Sequence, residues 1–128
     1  MRLFVVGLIL ASFSLLAAPP APLSPAAVAT TSDGALLYVA CATANRVLCF
    51  DTVSRKVAGS ITVPDAQSGL TFSPDKKQLF VTCASLQSKV CVTDVARRKI
   101  IATISTGHTA TAPVVIKGSV LYFAHSLP

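Results

Sequence analysis

The sequence predicts an all-β protein built from repeated four-stranded antiparallel sheets, and three observations support this prediction. The stretch that begins at Asp33 returns at Asp75, 42 positions later, and the same strand pattern starts a third time at Val120. Short apolar runs alternate with polar turns in each copy, as is typical of strands joined by tight connections. A strand-rich repeat of this length indicates the blades of a β-propeller. Because a closed ring needs about four to eight blades, the 128 residues are expected to form an incomplete propeller.

The first copy contains the four strands of one predicted blade, over residues 26–62. Its first strand ends at Thr30, and the turn that follows at Asp33-Gly34 suits these residue types, since Asp caps backbone amides and Gly accepts a positive φ. The second strand, Leu36 to Cys41, is almost continuously apolar, which indicates neighbours on both of its faces. The third and fourth strands are predicted at 46–51 and 56–62.

The later copies repeat this pattern with small changes. The second blade is predicted over residues 69–105, and one extra residue in its turn at 84–88 changes the offset from 42 to 43. A surface turn accommodates such an insertion easily. The third copy offers only two strands, so half a blade is predicted over residues 113–125.

The residues ahead of the blades predict export. Residues 1–18 are interpreted as a secretory signal peptide, because Arg2 precedes an apolar run that ends in small residues. The alternative is an uncleaved membrane anchor, but the run is shorter than the roughly 20 residues that a spanning helix needs. Residues 19–25 contain four prolines and are predicted to be an extended linker. A secreted or periplasmic protein is therefore expected.

The charge distribution bears on the partners that the protein could bind. The formal net charge is +6, but the basic residues are scattered over the turns. Nucleic acid is not expected as a partner, since its binding needs a clustered basic stripe with interleaved aromatic residues. Self-association through an exposed blade edge is expected, because the apolar strand that begins at Leu121 has no following strand to pair with.

The repeat resembles the YVTN family of β-propellers. The shared landmarks extend over residues 25–125 and are Ser73-Pro74-Asp75, Leu37-Tyr38-Val39, Phe50-Asp51, the run from Lys99 to Ile104, and Gly107. The resemblance implies the propeller fold. It implies little about activity, because the family is largely defined by structure and includes periplasmic and surface proteins.

Two functional hypotheses remain open at this stage. The uniform blades and short loops favour a binding scaffold without catalysis, whose partner is a protein or small-molecule ligand in the cell envelope. The alternative is the amino-terminal part of a periplasmic propeller enzyme, similar to bacterial propellers with dehydrogenase or lactonase activity. No phosphate loop, dinucleotide fingerprint or haem-attachment motif is present in the sequence, so no cofactor is expected.

The four cysteines suggest one disulfide. A three-residue turn around Asn45 would place Cys41 opposite Cys49, and an oxidising compartment would permit a bridge. The extra turn residue in the second copy predicts that Cys83 and Cys91 face opposite sides of their sheet. Free buried thiols are the alternative for all four.

His108 is the candidate ligand residue, because it lies between the second and third copies, where the loops of a propeller gather at one mouth of the channel. A solvated loop histidine is the simpler interpretation. Equivalent positions in the three copies carry Cys41, Cys83 and His125. A shared metal is not expected there, because stacked sheets lie about 10 Å apart and a zinc ligand must approach to about 2.3 Å.

Overall fold

The structure is a computed structural model that describes residues 23–116 and 120–125. Within these ranges the chain is all β apart from one 3-10 turn at Ala42–Ala44, and the predicted fold class is confirmed. The strands are β1 (Pro25–Thr30), β2 (Leu36–Cys41), β3 (Arg46–Asp51), β4 (Lys56–Thr62), β5 (Gln67–Phe72), β6 (Gln78–Cys83), β7 (Ser88–Asp94), β8 (Lys99–Gly107), β9 (Ala110–Ile116) and β10 (Val120–His125). The predicted signal peptide lies outside the described residues. Nothing in the described ranges forms a helix of the length and apolar character needed to cross a bilayer.

The strands form three sheets in which neighbours follow chain order. Blade 1 is the sheet β1-β2-β3-β4, blade 2 is the sheet β5-β6-β7-β8, and half-blade 3 is the pair β9-β10. Every pairing is antiparallel. Pro25 belongs to β1 rather than to the linker predicted for residues 19–25. Proline is compatible with the first position of a strand, where its missing donor is tolerated.

The turn between the first two strands is built in the same way in both blades. In blade 1 the Thr31 hydroxyl donates to Asp33 Oδ1 at 2.6 Å, and the Ala35 amide donates to the same oxygen at 3.0 Å. In blade 2 the Ser73 hydroxyl donates to Asp75 Oδ1, again at 2.6 Å. The repeated aspartates are therefore turn caps, as the sequence predicted. The turn between the third and fourth strands is capped likewise by Asp51 and Asp94.

The hydrophobic core lies between blade 1 and blade 2. We call the side of a blade that faces the preceding blade its leading face and the opposite side its trailing face. The trailing face of blade 1 and the leading face of blade 2 meet here, and the ring of Tyr38 packs edge-on against Phe72 with centroids 5.4 Å apart. Opposed residues of an antiparallel pair share a face, so the registers assign the buried members of each face. They are Tyr38, Ala40, Val47, Cys49 and Ile61 on the trailing face of blade 1, and Phe72, Leu79, Val81, Cys83, Cys91 and Thr93 on the leading face of blade 2.

The strand registers overturn the expectation for the first cysteine pair. Cys41 pairs with Arg46, and Cys49 pairs with Tyr38, so the two thiols lie on opposite faces of blade 1. The turn closes across four residues, with Asn45 at φ 47, and not across the three that the sequence suggested. The disulfide expected between Cys41 and Cys49 is therefore wrong, and both are buried free thiols.

The expectation for the second pair is also wrong. Cys83 pairs with Lys89, and Cys91 pairs with Val81, which places both thiols on the leading face of blade 2. The pKa of the Cys83 thiol is raised, because its hydrogen bond with Cys91 favours the protonated form and because burial disfavours the thiolate. Both cysteines are free thiols without exposed surface. The longer turn keeps the register of blade 1 and does not reverse it, because the extra residue is absorbed before Ser88.

Candidate functional site

His108 lies in the short loop between β8 and β9, and this loop is tied to the neighbouring turn of blade 2. The Thr109 amide donates to the Ser85 carbonyl at 3.4 Å, and the Ala110 amide donates to Ser88 Oγ at 3.1 Å. The Nδ1 atom of His125 lies 2.6 Å from the His108 carbonyl oxygen. The backbone of the loop is thus fixed from both sides, while the His108 side chain is exposed.

A second polar group lies on the same edge of the blades. Lys89 Nζ and Asp65 Oδ2 are 3.9 Å apart, and their side chains are 37% and 38% exposed. Gln67 Nε2 donates to the Asp65 carbonyl at 2.9 Å. The Oε1 atom of Gln67 is buried and has no hydrogen-bond partner in the described part of the chain. We call the set Asp65, Gln67, Ser85, Ser88, Lys89 and His108 the His108 edge.

The His108 edge contains two hydroxyl groups, at Ser85 and Ser88. The Ser88 hydroxyl accepts from the Ser85 and Ala110 amides and donates to the Ser85 carbonyl at 3.0 Å. A nucleophilic serine needs an adjacent base to remove its proton, and none of the hydrogen bonds described for Ser88 supplies one. The edge therefore offers a fixed set of donors, acceptors and one ion pair.

The equivalent positions Cys41, Cys83 and His125 do not form a metal centre in the described residues. They lie at corresponding places on β2, β6 and β10, opposite Pro25, Gln67 and Ala110 of the inner strands. Within residues 23–116 and 120–125, no three or more His, Cys, Asp or Glu side chains come close enough to hold a metal ion. Each of the three residues sits on its own blade, as the sheet spacing requires.

Sequence reasoning missed a cleft on the opposite edge of the molecule. It has a volume of about 420 Å³ and lies between blade 2 and half-blade 3, lined by Ser73, Pro74, Asp75, Lys77, Gln78, Phe80, Asp94 and Val115. The pKa of Asp75 is lowered by the hydrogen bond from the Ser73 hydroxyl and by the Lys77 amide. Its carboxylate therefore stays ionised and serves the turn. The repeated turn, Thr31-Ser32-Asp33 in blade 1 and Ser73-Pro74-Asp75 in blade 2, indicates residues of this cleft, but only their proximity to Val115 of the next blade creates it.

The described sheets can be compared with proteins of known structure. A comparison with protein-family models finds no match, and a comparison with curated proteins finds none either. Solved structures do match: the chain aligns with the WD40 repeats of RRP9 at a TM-score of 0.69 and 15% identity, over 79% of this chain and 32% of that one. The chain has a propeller-repeat fold.

Two further structures extend the comparison. Hydrazine synthase of Kuenenia stuttgartiensis aligns with a TM-score of 0.67 and 28% identity, over 80% of this chain and 34% of that chain. Apo AztD from Citrobacter koseri aligns with a TM-score of 0.59 and 19% identity, over 69% and 25% of the two chains. This chain therefore spans about a third or less of the length of the structures that it matches.

Proposed function

We propose that this protein is an exported propeller-repeat protein of the YVTN type that binds a protein or small-molecule ligand in the cell envelope and has no catalytic activity of its own. The observation that carries this proposal is the construction of the His108 edge. Hydrogen bonds hold the loop before half-blade 3 against the β6–β7 turn of blade 2 and against β10. His108 and the ion pair of Lys89 with Asp65 are exposed beside these hydrogen bonds. A rigid edge of this kind loses little entropy when it binds.

Further features are consistent with this proposal. The apolar run and the small residues of positions 1–18 support export. The connections between described strands are short, and enzymes on such scaffolds carry their chemistry in loops. The turn cations are spread over several turns and do not form a stripe with aromatic residues, which disfavours nucleic acid as the partner.

Site-specific crosslinking in the producing cell tests the binding role. A photoreactive residue replaces His108 in one variant and Val53, which is 85% exposed in the turn between β3 and β4, in a matched control. The proposal expects a discrete adduct from position 108 and none from position 53. Identical adducts from both positions, or none from position 108, would contradict it.

A second candidate is supported by one comparison. The 28% identity with a hydrazine synthase structure over 80% of this chain is the highest of the three alignments described above, and it favours the alternative that these blades belong to a propeller enzyme. In that case the reacting groups would lie on other blades. Hydrolase and oxidoreductase turnover of the protein purified from its producing cell, with every blade that it carries there, separates the candidates. The binding role expects rates equal to those of a heat-inactivated control, and a rate above this control favours the enzyme.

A further inference from the structure

Cys83 and Cys91 form a pair of thiols that the proposed function does not use. Both lie on the leading face of blade 2, where Cys83 opposes Lys89 and Cys91 opposes Val81. These two pairings are two residues apart along the strands, so the cysteines are diagonal neighbours on one face. A hydrogen bond joins their side chains, and neither has exposed surface. The structure therefore brings two sulfur atoms together inside the core.

The spacing of this pair disfavours a disulfide. Diagonal neighbours in an antiparallel sheet have Cα atoms about 7–8 Å apart, whereas the Cα atoms of a disulfide are usually about 4.4–6.8 Å apart. A bridge between Cys83 and Cys91 would therefore require the strands to shift within a packed core. Two thiolates that hold a metal ion between them form no bond to each other, so they accept the longer separation.

Blade 1 has two cysteines at the same spacing but no such pair. Cys41 lies on its leading face and Cys49 on its trailing face. Leu48 takes the place that Cys91 has in blade 2, because the extra residue in the β6–β7 turn moves Cys91 by one position relative to the repeat. Of the two complete described blades, only blade 2 carries the dithiol, and blade 1 supplies a natural control.

The groups around the pair favour negative charge on sulfur. The Asp65 backbone donates a hydrogen bond to Cys83. The hydrogen bond from Cys83 lowers the pKa of Cys91, and the charge of Lys89 acts in the same direction, against the effect of burial. Lys89 is also directly opposite Cys83 in the register, so its positive charge belongs to the immediate surroundings of the pair.

An unpartnered oxygen lies beside the pair. Gln67 opposes Cys83 across β5 and β6, so its side chain lies on the same face of the sheet. Gln67 is 3% exposed, and its Oε1 atom has no hydrogen-bond partner in the described part of the chain. A buried acceptor without a donor is costly, and a cation next to it reduces that cost. The Gln67 oxygen is thus a second, independent indication of a positive ion at this place.

The number and type of ligands select the ion. Zinc takes at least three protein ligands, and no third His, Cys, Asp or Glu side chain joins the pair within residues 23–116 and 120–125. Soft thiolate ligands select Cu(I). A monovalent ion of this kind is satisfied by two thiolates in a linear arrangement, which is what one dithiol supplies.

We propose that Cys83 and Cys91 bind one Cu(I) ion as a two-coordinate bis-thiolate site beneath the His108 edge. Each thiol loses its proton and donates a sulfur lone pair to the ion, so two protons are released for each ion bound and no electron is transferred. The complex carries one negative charge, which the ammonium group of Lys89 balances. The ion enters between Lys89 and Asp65, whose side chains are partly exposed.

The first experiment counts Cu(I) bound per chain, without oxygen and with ascorbate as the reductant. It uses protein purified from its producing cell with every blade that it carries there, and a chromophoric Cu(I) chelator competes so that only tight sites fill. The double variant Cys83→Ala, Cys91→Ala is expected to bind one ion fewer per chain than the parent. The matched control Cys41→Ala, Cys49→Ala removes as many thiols and should bind as many ions as the parent. Circular dichroism melts establish that each variant is folded.

The second experiment keeps both thiols and carries the test if the double variant does not fold. Lys89→Gln is expected to weaken Cu(I) binding by about tenfold, because groups that support metal ligands typically contribute at least this much to affinity. Lys56→Gln is the matched control, since Lys56 is exposed at the start of β4, and it should bind like the parent. X-ray absorption of the parent loaded with one equivalent of Cu(I) should show two sulfur neighbours and no nitrogen neighbour.

Several results would overturn the proposal. They are a folded Cys83→Ala, Cys91→Ala variant that binds as many ions as the parent, a blade 1 control that loses an ion equally, and a Lys56→Gln control that weakens binding as much as Lys89→Gln. A disulfide between Cys83 and Cys91, found by peptide mass before reduction, would also exclude the site, because it leaves no thiolate. The outcome of crosslinking from position 108 is independent of all these results, since that experiment concerns the partner of the edge.

Discussion

The leading faces of blades 1 and 2 carry equivalent residues in different surroundings. Leu79 and Val81 of blade 2 are fully buried, whereas Leu37 and Val39 at the same places in blade 1 are only partly buried. The repeat sets the identity and direction of these side chains. Whether they form a core depends on the neighbouring blade, because burial needs a surface to pack against.

The two faces also differ at their third strands. Blade 2 places the smaller Cys91 and Thr93 where blade 1 has Leu48 and Phe50. Thr93 is fully buried, and its hydroxyl donates to the Leu79 carbonyl at 2.8 Å. At this strand the covered face therefore has less side-chain volume than the open one. On this strand the open face of blade 1 keeps the apolar residues Leu48 and Phe50.

The largest expected effect on stability comes from truncating Leu79, and truncation of its counterpart Leu37 is the comparison. Leu79→Ala should lower the free energy of unfolding by about 3 kcal/mol, since it leaves a cavity in a packed core. Leu37→Ala should cost about 1 kcal/mol or less in dilute solution, because its side chain is partly exposed. Denaturant unfolding of both variants at low protein concentration measures the difference. Equal losses would contradict the contrast between the two faces.

The second prediction compares the interface between blades 1 and 2 with the interface between blade 2 and half-blade 3. A Cβ added at Gly69 would collide with the Pro113 ring of half-blade 3, so Gly69→Ala should destabilise the protein by about 1–3 kcal/mol. A Cβ added at Gly59 meets only the flexible side chain of Arg98. Gly59→Ala should therefore change stability by about 0.5 kcal/mol or less, since the lost Arg98 contact is offset by reduced chain entropy. Thermal melts measure both changes. A larger loss of stability for Gly59→Ala would mean that blades 1 and 2 pack more tightly at Gly59 than blade 2 and half-blade 3 pack at Gly69.

The third prediction compares the two Asp-capped turns. Gly34 and Lys76 occupy the same position, with φ values of 69 and 60. Lys76 Nζ lies 5.2 Å from the centre of the Phe72 ring, and blade 1 has Thr30 at the Phe72 position. Gly34→Lys should therefore destabilise the protein by about 1 kcal/mol, because no cation–π contact offsets the left-handed backbone. Lys76→Gly is the reciprocal variant and should be nearly neutral; a stability loss of the same size in both variants would argue against this account.

The smallest expected effect is on stability at acidic pH. The pKa values of Asp33 and Asp75 are lowered, chiefly by the Thr31 and Ser73 hydroxyls. A carboxylate with a lowered pKa in the folded state adds stability above its ordinary pKa near 3.8, and this contribution is lost as the pH falls below that value. The double variant Asp33→Asn, Asp75→Asn keeps an acceptor oxygen in each turn and cannot titrate. Its melting temperature should fall less steeply than that of the parent below about pH 4. If the melting temperatures of the two proteins fall equally steeply with pH, the Asp33 and Asp75 carboxylates do not stabilise the turns in this way.

The sequence predicted local features of the site more reliably than distant contacts. The capping of turns by Asp33 and Asp75 was predictable, because the bonds join residues two positions apart. His108 was correctly located between blades, but its loop is held by Ser85 and Ser88, whose contact depends on the neighbouring turn. The cysteine registers were wrong for both pairs, because a one-residue difference in a turn reverses the face of a strand and the number of turn residues cannot be read from spacing alone.

The sequence by itself determined the all-β class, the 42-residue period, the strand order and the Asp-capped turns, because these depend on alternation, turn residues and repetition along the chain. Only the tertiary structure decided which apolar face is buried. Equivalent residues such as Val39 and Val81 are alike in sequence, and they differ in exposure because one blade has a neighbour on that side and the other does not. Packing is a property of two surfaces, and a local pattern specifies only one of them.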